Sequence, residues 1–321
     1  MTAIVPGRYD DRMDGYFDLQ VNGYAGIDFN HDDLTADDLR RVCRRLADEG
    51  VAGILATVIT EEIEVMGRRL RRLVELCATD AEIAAVIAGL HIEGPFLNPT
   101  PGYRGAHPVD AIRPAEIDVM ARLVEAGGGW VRLVTLAPEQ DAGFAVTRWL
   151  SDRGIAVAAG HCDPSLDVLD GAIDAGLTLF THLGNGCPMT MHRHDNVIQR
   201  VLSRSDRLFV TFIGDGVHVP FFALRNYLNV VGPERAIIVT DAMAAAGLGP
   251  GRYQLGRWAV DVGEDGAAWA PDRSHLVGAA ITMPRCVENL RTRLGLSESV
   301  VRRLTAENPG TVVGLRSRNV V

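Results

Sequence analysis

The chain has 321 residues, of which 47% are hydrophobic, and a formal net charge of −9 at pH 7. An acidic chain without a basic run is a poor partner for nucleic acid or an anionic membrane, and no apolar run approaches the roughly 20 residues that a membrane span needs. The five cysteines are scattered without a CxxC pair, which predicts reduced thiols in a cytoplasmic protein. The N-terminus lacks a basic start followed by an apolar stretch, so we expect no signal peptide.

Apolar runs alternate with amphipathic stretches along most of the chain. Continuous apolar runs are typical of parallel strands that are buried on both faces. The stretches 34–50 and 114–128 have helical spacing, and the first is expected to begin after a Thr35 cap and to stop at Gly50. The predicted strands cover residues 15–21, 51–60, 83–93, 130–139, 155–162, 177–183, 207–216 and 235–242.

Eight strands in this alternation predict an α/β fold, a TIM-like (β/α)8 barrel that forms one domain over residues 1–321. A doubly wound open sheet is the alternative, but no glycine-rich phosphate fingerprint follows the first strand. Residues 1–14 are expected to be an N-terminal extension. After the eighth strand the alternation breaks, and residues 251–270 are predicted to form a β-hairpin insertion with its turn at 263–266. Two short helices are expected to follow.

Polar residues stand at the predicted C-terminal ends of the strands, where the active site of such a barrel lies. The third, fifth and sixth strands bring Glu93, His161 and His182 to this mouth. Two imidazoles and one carboxylate suit a catalytic zinc ion that keeps an open position for water. Asp241, on the last strand, would face that water and could move its proton to a leaving group. Each residue alone has an ordinary structural explanation, such as a helix cap or a packed histidine, whereas the four together predict a metal site.

The string GLHIEGPFLNPTPGYRGAHP at 89–108 resembles the signature of N-acetylglucosamine-6-phosphate deacetylases, within the amidohydrolase superfamily. Further resembling segments follow the family's order and cover nearly the whole chain: DLQVNGYAGIDFN (18–30), LVTLAPE (133–139), AAGHCDPSLD (158–167), THLGNG (181–186), FIGDGVHVP (212–220), VTDAMAAAGLGPG (239–251) and NPGTVVGL (308–315). The resemblance implies a metal-dependent hydrolase that removes acetyl from an N-acetylated amino sugar. The expected substrate is N-acetylglucosamine-6-phosphate, giving glucosamine-6-phosphate and acetate.

The resemblance also implies the metal ligands, which match Glu93, His161 and His182. Many amidohydrolases open with an HxH pair on the first strand and bind two metals. Here the matching positions are Gln20 and Asn22, as in family members that use a single metal, and both are expected to bind substrate. All 32 basic residues are arginine, so a lysine carbamate that bridges two metals is impossible. We therefore expect one divalent ion, zinc or another in its place.

The remaining implied roles concern proton transfer and substrate binding. Asp241 matches the catalytic aspartate, and His107 matches a residue that binds substrate near the acyl carbonyl. Asn185 and Gly186 could present an amide to the sugar or its phosphate, and His218 matches a histidine that contacts the sugar. Without the resemblance, His107 is an ordinary loop histidine, and Asn185 with Gly186 forms a tight turn.

An arginine of the family, often from a neighbouring subunit, binds the 6-phosphate, and Arg193 falls on its position. A guanidinium can grip phosphate through two hydrogen bonds, although Arg193 could also be an ordinary surface arginine. This role makes a homodimer an expectation. His192 and His194 could form a second metal site with His182, but the intervening Arg193 would repel a cation, and a mobile polar loop is the preferred interpretation.

The sequence departs from the family pattern near the substrate. GNGC (184–187) stands where FNAM is usual, and HRHDN (192–196) replaces a Gly-Arg-x-Pro-Gly type of stretch. Ala279 or Ala280 stands where a serine is common, and the small β-sandwich of the family is expected to be absent or vestigial. One alternative is therefore the same chemistry on an unphosphorylated or different N-acyl sugar, or on a small amide. A non-catalytic barrel is the remaining alternative.

Overall fold

The computed structural model describes residues 15–314. Within this range, eight parallel strands form one sheet in which each strand is hydrogen-bonded to the next along the chain, which confirms the barrel prediction. The barrel strands are β1 (Tyr16–Val21), β2 (Val51–Ile59), β3 (Ile87–Glu93), β4 (Val131–Leu136), β5 (Ala156–Ala159), β6 (Leu179–Phe180), β7 (Phe209–Ile213) and β8 (Ala236–Val239). The predicted extension 1–14 lies outside the described residues.

The barrel closes where β1 meets the end of β8. Val21 forms a parallel bridge with Ala242. Deeper in the same seam, the buried Asp18 carboxylate accepts hydrogen bonds from the Thr240 amide at 3.2 Å and from the Thr240 hydroxyl at 2.5 Å. Thr240 immediately precedes Asp241, so this seam fixes the backbone on which Asp241 is mounted.

Helices follow most of the strands and bury one apolar face each against the barrel. The expected Thr35 cap is confirmed, because its hydroxyl accepts a hydrogen bond from the Asp38 amide at 3.2 Å. No helix in residues 15–314 is long and apolar enough to cross a membrane. The helices are α1 (Ala36–Asp48), α2 (Ile63–Thr79), α3 (Ala81–Ala84), α4 (Ile117–Ala126), α5 (Ala145–Ser151), α6 (Leu166–Asp174), α7 (Val197–Leu202), α8 (Phe221–Val231), α9 (Met283–Thr292), α10 (Glu298–Arg302) and α11 (Asn308–Val312), with 3₁₀ turns at Pro138–Gln140 and Ala142–Phe144 and a π turn at Arg303–Glu307.

The predicted strand ends are wrong at several places, and two of these differences have a cause in the local sequence. The run 83–93 begins too early, because Asp80 caps the short helix α3 through its side chain and β3 starts only at Ile87. The run 130–139 extends too far, because Pro138 has no N–H to donate to the ladder and begins a 3₁₀ turn. Glu139 therefore lies in a turn just beyond β4.

The predicted hairpin at 251–270 is a three-stranded antiparallel sheet. Its strands are β9 (Gly251–Leu255), β10 (Trp258–Val262) and β11 (Ala268–Trp269). The expected turn at 263–266 joins β10 to β11, and the turn that the sequence analysis missed joins β9 to β10 at Gly256, where φ is +54°. The buried side of this sheet packs on Ile59, at the end of β2, and on Met243. The insertion therefore covers part of the barrel mouth.

Candidate metal centre and active site

Glu93, His161 and His182 converge at the barrel mouth. Glu93 is the last residue of β3, and the two histidines lie two residues beyond β5 and β6. The Glu93 Oε1 atom lies 3.1 Å from His182 Nε2 and 3.4 Å from His161 Nε2. One ligand atom from each residue lies within 4.8 Å of the others. All three side chains are buried, so one carboxylate and two imidazoles share a site that solvent barely reaches.

The backbone conformation at this mouth is unusual in a repeated way. His161, His182 and Asp241 each follow a strand end by two residues, and their φ values are +51°, +33° and +52°. A residue with a Cβ atom pays about 1–2 kcal/mol in the left-handed region, and such strain clusters at functional sites. Because positive φ ends the strand ladder, it also explains why β5, β6 and β8 stop before these residues, which the sequence analysis had placed within the strands.

The donor atoms fit a divalent cation. The His161 Nδ1 atom lies 2.8 Å from the carbonyl oxygen of Tyr103, and donation of that N–H leaves the Nε2 lone pair directed at Glu93. Metal-bound histidines usually donate their second ring N–H in this manner. Burial opposes ionisation of Glu93, but the neighbouring His161 and His182 hold its pKa well below its usual range. The result is an ionised oxygen ligand beside two nitrogen ligands, a set that suits zinc.

Gln20 and Asn22 support the charged residues of the site. The Gln20 Nε2 atom donates to Glu93 Oε1 at 3.0 Å, and the Asn22 Nδ2 atom donates to Asp241 Oδ1 at 2.7 Å. Both amides come from β1 or the residue that follows it. The buried Asn22 Oδ1 atom has no partner among residues 15–314, and Asn22 lines the cavity.

His107 and Asp241 stand next to the three ligands. The His107 Nε2 atom lies 3.9 Å from Glu93 Oε2, and its ring packs edge-on against His161 with 4.4 Å between ring centroids. Burial is the main cause that lowers the pKa of His107 to about 3, and the charge of the neighbouring His161 lowers it further. The imidazole is therefore neutral. Burial raises the pKa of Asp241 to about 6, whereas a cation at the three ligands would lower it again.

A cavity of about 40 Å³ opens at this point and is lined by the three ligands, His107, Asp241, Asn22 and Asn185. Gly186 lies close to the ring of His161. A Cβ atom built on Gly186 would lie 2.9 Å from His161 Nδ1. The His218 Nδ1 atom lies 2.6 Å from Asp215 Oδ2. Burial alone would lower the pKa of His218, but Asp215 raises it. Arg193 is exposed on the loop after β6.

Two features of the site were missed in the sequence. Glu139 clamps loops around His161, since its Oε1 atom accepts hydrogen bonds from Asn98 Nδ2 at 2.9 Å and from the Asp163 amide at 2.6 Å. The backbone N–H of Asn98 in turn donates to the backbone carbonyl oxygen of His161 at 2.9 Å. The second feature is an apolar part of the cavity, which includes Leu255 from the inserted sheet. No sequence pattern distinguishes such a leucine from an ordinary core residue.

Known proteins resemble this chain in sequence and in fold, although no protein-family model matches it. N-acetylglucosamine-6-phosphate deacetylase of Bacillus subtilis (strain 168) is 30% identical over 308 residues, which are 95% of this chain and 76% of that protein. The chain belongs to the N-acetylglucosamine-6-phosphate deacetylase family. N-acetylgalactosamine-6-phosphate deacetylase of Escherichia coli O157:H7 is 29% identical to this chain over 300 residues, which are 94% of this chain and 77% of that protein.

The structural comparison agrees with this membership. An aspartate-to-alanine mutant of N-acetyl-D-glucosamine-6-phosphate deacetylase from Mycobacterium smegmatis, solved in complex with N-acetyl-D-glucosamine-6-phosphate, superposes with a TM-score of 0.85. The two chains are 31% identical, and the match covers 94% of this chain and 78% of the other. The family assigns the protein to amidohydrolase-type enzymes of amino-sugar metabolism.

Proposed function

We propose that the protein hydrolyses the N-acetyl group of N-acetylglucosamine-6-phosphate to give glucosamine-6-phosphate and acetate. The observation that carries this proposal is the meeting of Glu93, His161, His182 and Asp241 at the mouth of a barrel of this family. A non-catalytic barrel would have no reason to bring three buried ligands together, or to hold His161, His182 and Asp241 in strained backbone conformations.

Zinc is the proposed resident ion, and Glu93, His161 and His182 would hold it. The chemistry that such an ion supplies when bound is polarisation of the acyl carbonyl and a lower pKa for the attacking water. Gln20 keeps Glu93 in place by donating to its carboxylate. Tyr103 keeps the His161 ring oriented through its carbonyl oxygen.

Asp241 is the proposed proton carrier. Its carboxylate lines the cavity beside the ligands, and the Asn22 amide holds one oxygen at 2.7 Å. The other oxygen is left to accept a proton from the attacking water and to deliver it to the departing amine. Because water attack and amine departure use one carboxylate, the acid and base steps require no second titrating residue.

His107 is the proposed contact of the acyl oxygen. It is buried at the cavity wall, and its Nδ1 atom has no partner among the described residues. A neutral imidazole can donate an N–H to an oxygen that gains negative charge in the transition state. The pKa of about 3 agrees with this role, since His107 stays neutral near pH 7.

The sugar is expected to lie outside the small cavity, towards Asn185 and His218. The exposed Arg193 guanidinium is a proposed contact of the 6-phosphate, and the family's use of a neighbouring subunit makes a homodimer its expected setting. The segments 184–187 and 192–196 differ from the usual pattern near this region. They favour a second candidate, in which the same deacetylation acts on another or an unphosphorylated N-acetyl amino sugar.

Acetate release by the zinc-loaded protein tests both candidates. The substrates are N-acetylglucosamine-6-phosphate, N-acetylgalactosamine-6-phosphate and unphosphorylated N-acetylglucosamine, and Arg193→Ala is measured beside the unaltered protein. Fast release from the glucosamine phosphate alone, with a raised KM in Arg193→Ala, supports the leading proposal. Equal kcat/KM with and without phosphate would remove the phosphate role of Arg193. Release from none of them, with metal bound and the fold intact, would refute deacetylation of these sugars.

A further inference from the structure

One side of the active-site cavity is apolar, although the rest carries ligands and polar groups. Ile59 and Leu255 line it, with exposed fractions of only 7% and 3%, and Leu276 stands half-buried beyond them. Ile59 and Leu255 belong to one buried cluster, and Ala106, the residue before His107, packs against it. The mechanism derived above gives this apolar wall no task.

Ile59 is placed to face the reacting atoms. It is the last residue of β2 and the direct register partner of Glu93 on β3. Side chains that lie directly opposite on neighbouring strands project from the same face of a sheet. The Ile59 side chain therefore leaves the barrel wall beside the metal-ligand carboxylate and in the same direction.

Leu255 is supplied by the inserted sheet, which is fixed to the barrel at the adjoining turn. The Gly256 amide donates to Asp28 Oδ2 at 2.6 Å, and the Arg257 Nε atom donates to Glu61 Oε2 at 2.9 Å. A Cβ atom built on Gly256 would lie 3.4 Å from Ile59 Cδ1, so this turn rests on Ile59. Leu255 is thus held at a set distance from the barrel instead of moving with a free loop.

The size of the cavity decides which part of a substrate meets this wall. At about 40 Å³ it is far smaller than the roughly 300 Å³ of a pocket that encloses a drug-sized ligand. The scissile carbonyl must reach both the ligand cluster and Asp241, whereas the amine side carries a hexose that cannot enter. The acyl substituent is the one remaining part that fits inside.

We propose that Ile59 and Leu255 select the acyl group, by contacting the methyl of acetyl and leaving no room for longer chains. This inference rests on the proposed deacetylase function and names the acyl class that the site takes. One methylene in an apolar pocket changes discrimination by roughly 10–200-fold. Truncating Leu255 to alanine should therefore raise the ratio of propionyl to acetyl hydrolysis by at least about tenfold.

The test measures kcat/KM for the N-acetyl, N-propionyl and N-butyryl derivatives of glucosamine-6-phosphate with Leu255→Ala, Ile59→Val and the unaltered protein. Val260→Ala is the matched control, since Val260 is buried in the same cluster but does not line the cavity. Metal content is measured in every variant. We expect Leu255→Ala to raise the propionyl-to-acetyl ratio at least about tenfold, Ile59→Val to raise it less, and Val260→Ala to leave it unchanged.

The outcomes separate this inference from the function on which it rests. An unaltered protein that releases acetate, with the same ratio in Leu255→Ala and Ile59→Val, overturns the acyl-selection role alone. An unaltered protein that hydrolyses none of the three substrates with metal bound overturns the proposed function and this inference with it. If Leu255→Ala does not fold, Ile59→Val decides, because it removes a single methyl group from the same wall.

Discussion

Replacing Gly186 by alanine is expected to weaken metal binding through the ring of His161. The new Cβ atom would lie 2.9 Å from His161 Nδ1, and ordinary contact begins at 3.4 Å, so the ring or the loop must move by 3.4 − 2.9, about 0.5 Å. The ring has little freedom to move, because its Nδ1 atom is hydrogen-bonded to the Tyr103 carbonyl oxygen at 2.8 Å. Disturbing the group that orients a metal ligand costs about 10–100-fold in affinity, which is about 1.4–2.8 kcal/mol.

Gly143→Ala is the matched control for this experiment. Gly143 has φ of +60° against +59° for Gly186, and a Cβ atom on it would meet nothing within 4 Å. Both variants should lose about 1–2 kcal/mol of folding stability from the left-handed backbone, while only Gly186→Ala loses zinc affinity. Competition against a fluorescent chelator gives the affinity, and urea unfolding of the apo protein gives the stability. Equal zinc affinity in the two variants would refute the close packing of Gly186 on a metal ligand.

Three further predictions concern single carboxylates. Asp241→Asn should keep zinc and the urea midpoint but lose about 10²–10⁴-fold in kcat; turnover close to the unaltered level would exclude Asp241 as the proton carrier. Glu139→Ala leaves two loop N–H donors without their acceptor and should cost about 2 kcal/mol of unfolding free energy, whereas Glu139→Gln keeps an acceptor oxygen and should restore most of it; equal losses would contradict the clamp. Burial raises the pKa of Asp28 from 3.8 to about 6. Folding thus favours its protonated form, and the unfolding free energy should fall by about 3 kcal/mol as pH rises from about 4 to about 6. Asp28→Asn should remove that fall, and an unchanged pH slope in the variant would show that Asp28 is not its source.

The barrel could be predicted because its strands are continuous apolar runs, but their ends could not. The runs near His161 and His182 continue in apolar or small residues, and only the backbone shows that positive φ stops each ladder two residues earlier. The inserted sheet was recognised as a hairpin only, since its third strand, Ala268–Trp269, is too short to carry an alternating pattern. Strand periodicity thus locates an element without fixing where it stops.

The ligand cluster was predictable for a different reason. In a parallel barrel, residues at the C-terminal ends of different strands lie at the same mouth, even when they are remote in sequence. This rule predicts that Glu93 and the two histidines form a cluster. The apolar wall offered no such signal, because Ile59 at a strand end has the composition of an ordinary core residue. The close packing of Gly186 on His161 could not be predicted either, since the sequence shows only an Asn-Gly pair that is typical of a turn.

The charges at the mouth favour a single divalent ion. Glu93 and Asp241 supply two negative charges when ionised, and one divalent cation beside neutral histidines balances them. A second ion would leave two positive charges in a buried site, which is costly without further carboxylates. Gln20 and Asn22 stand at the first-strand positions, and their amide nitrogens already donate to the two carboxylates. Neither amide offers the imidazole nitrogen that an HxH pair would supply, and the two residues instead hold the acids of the proposed site in place.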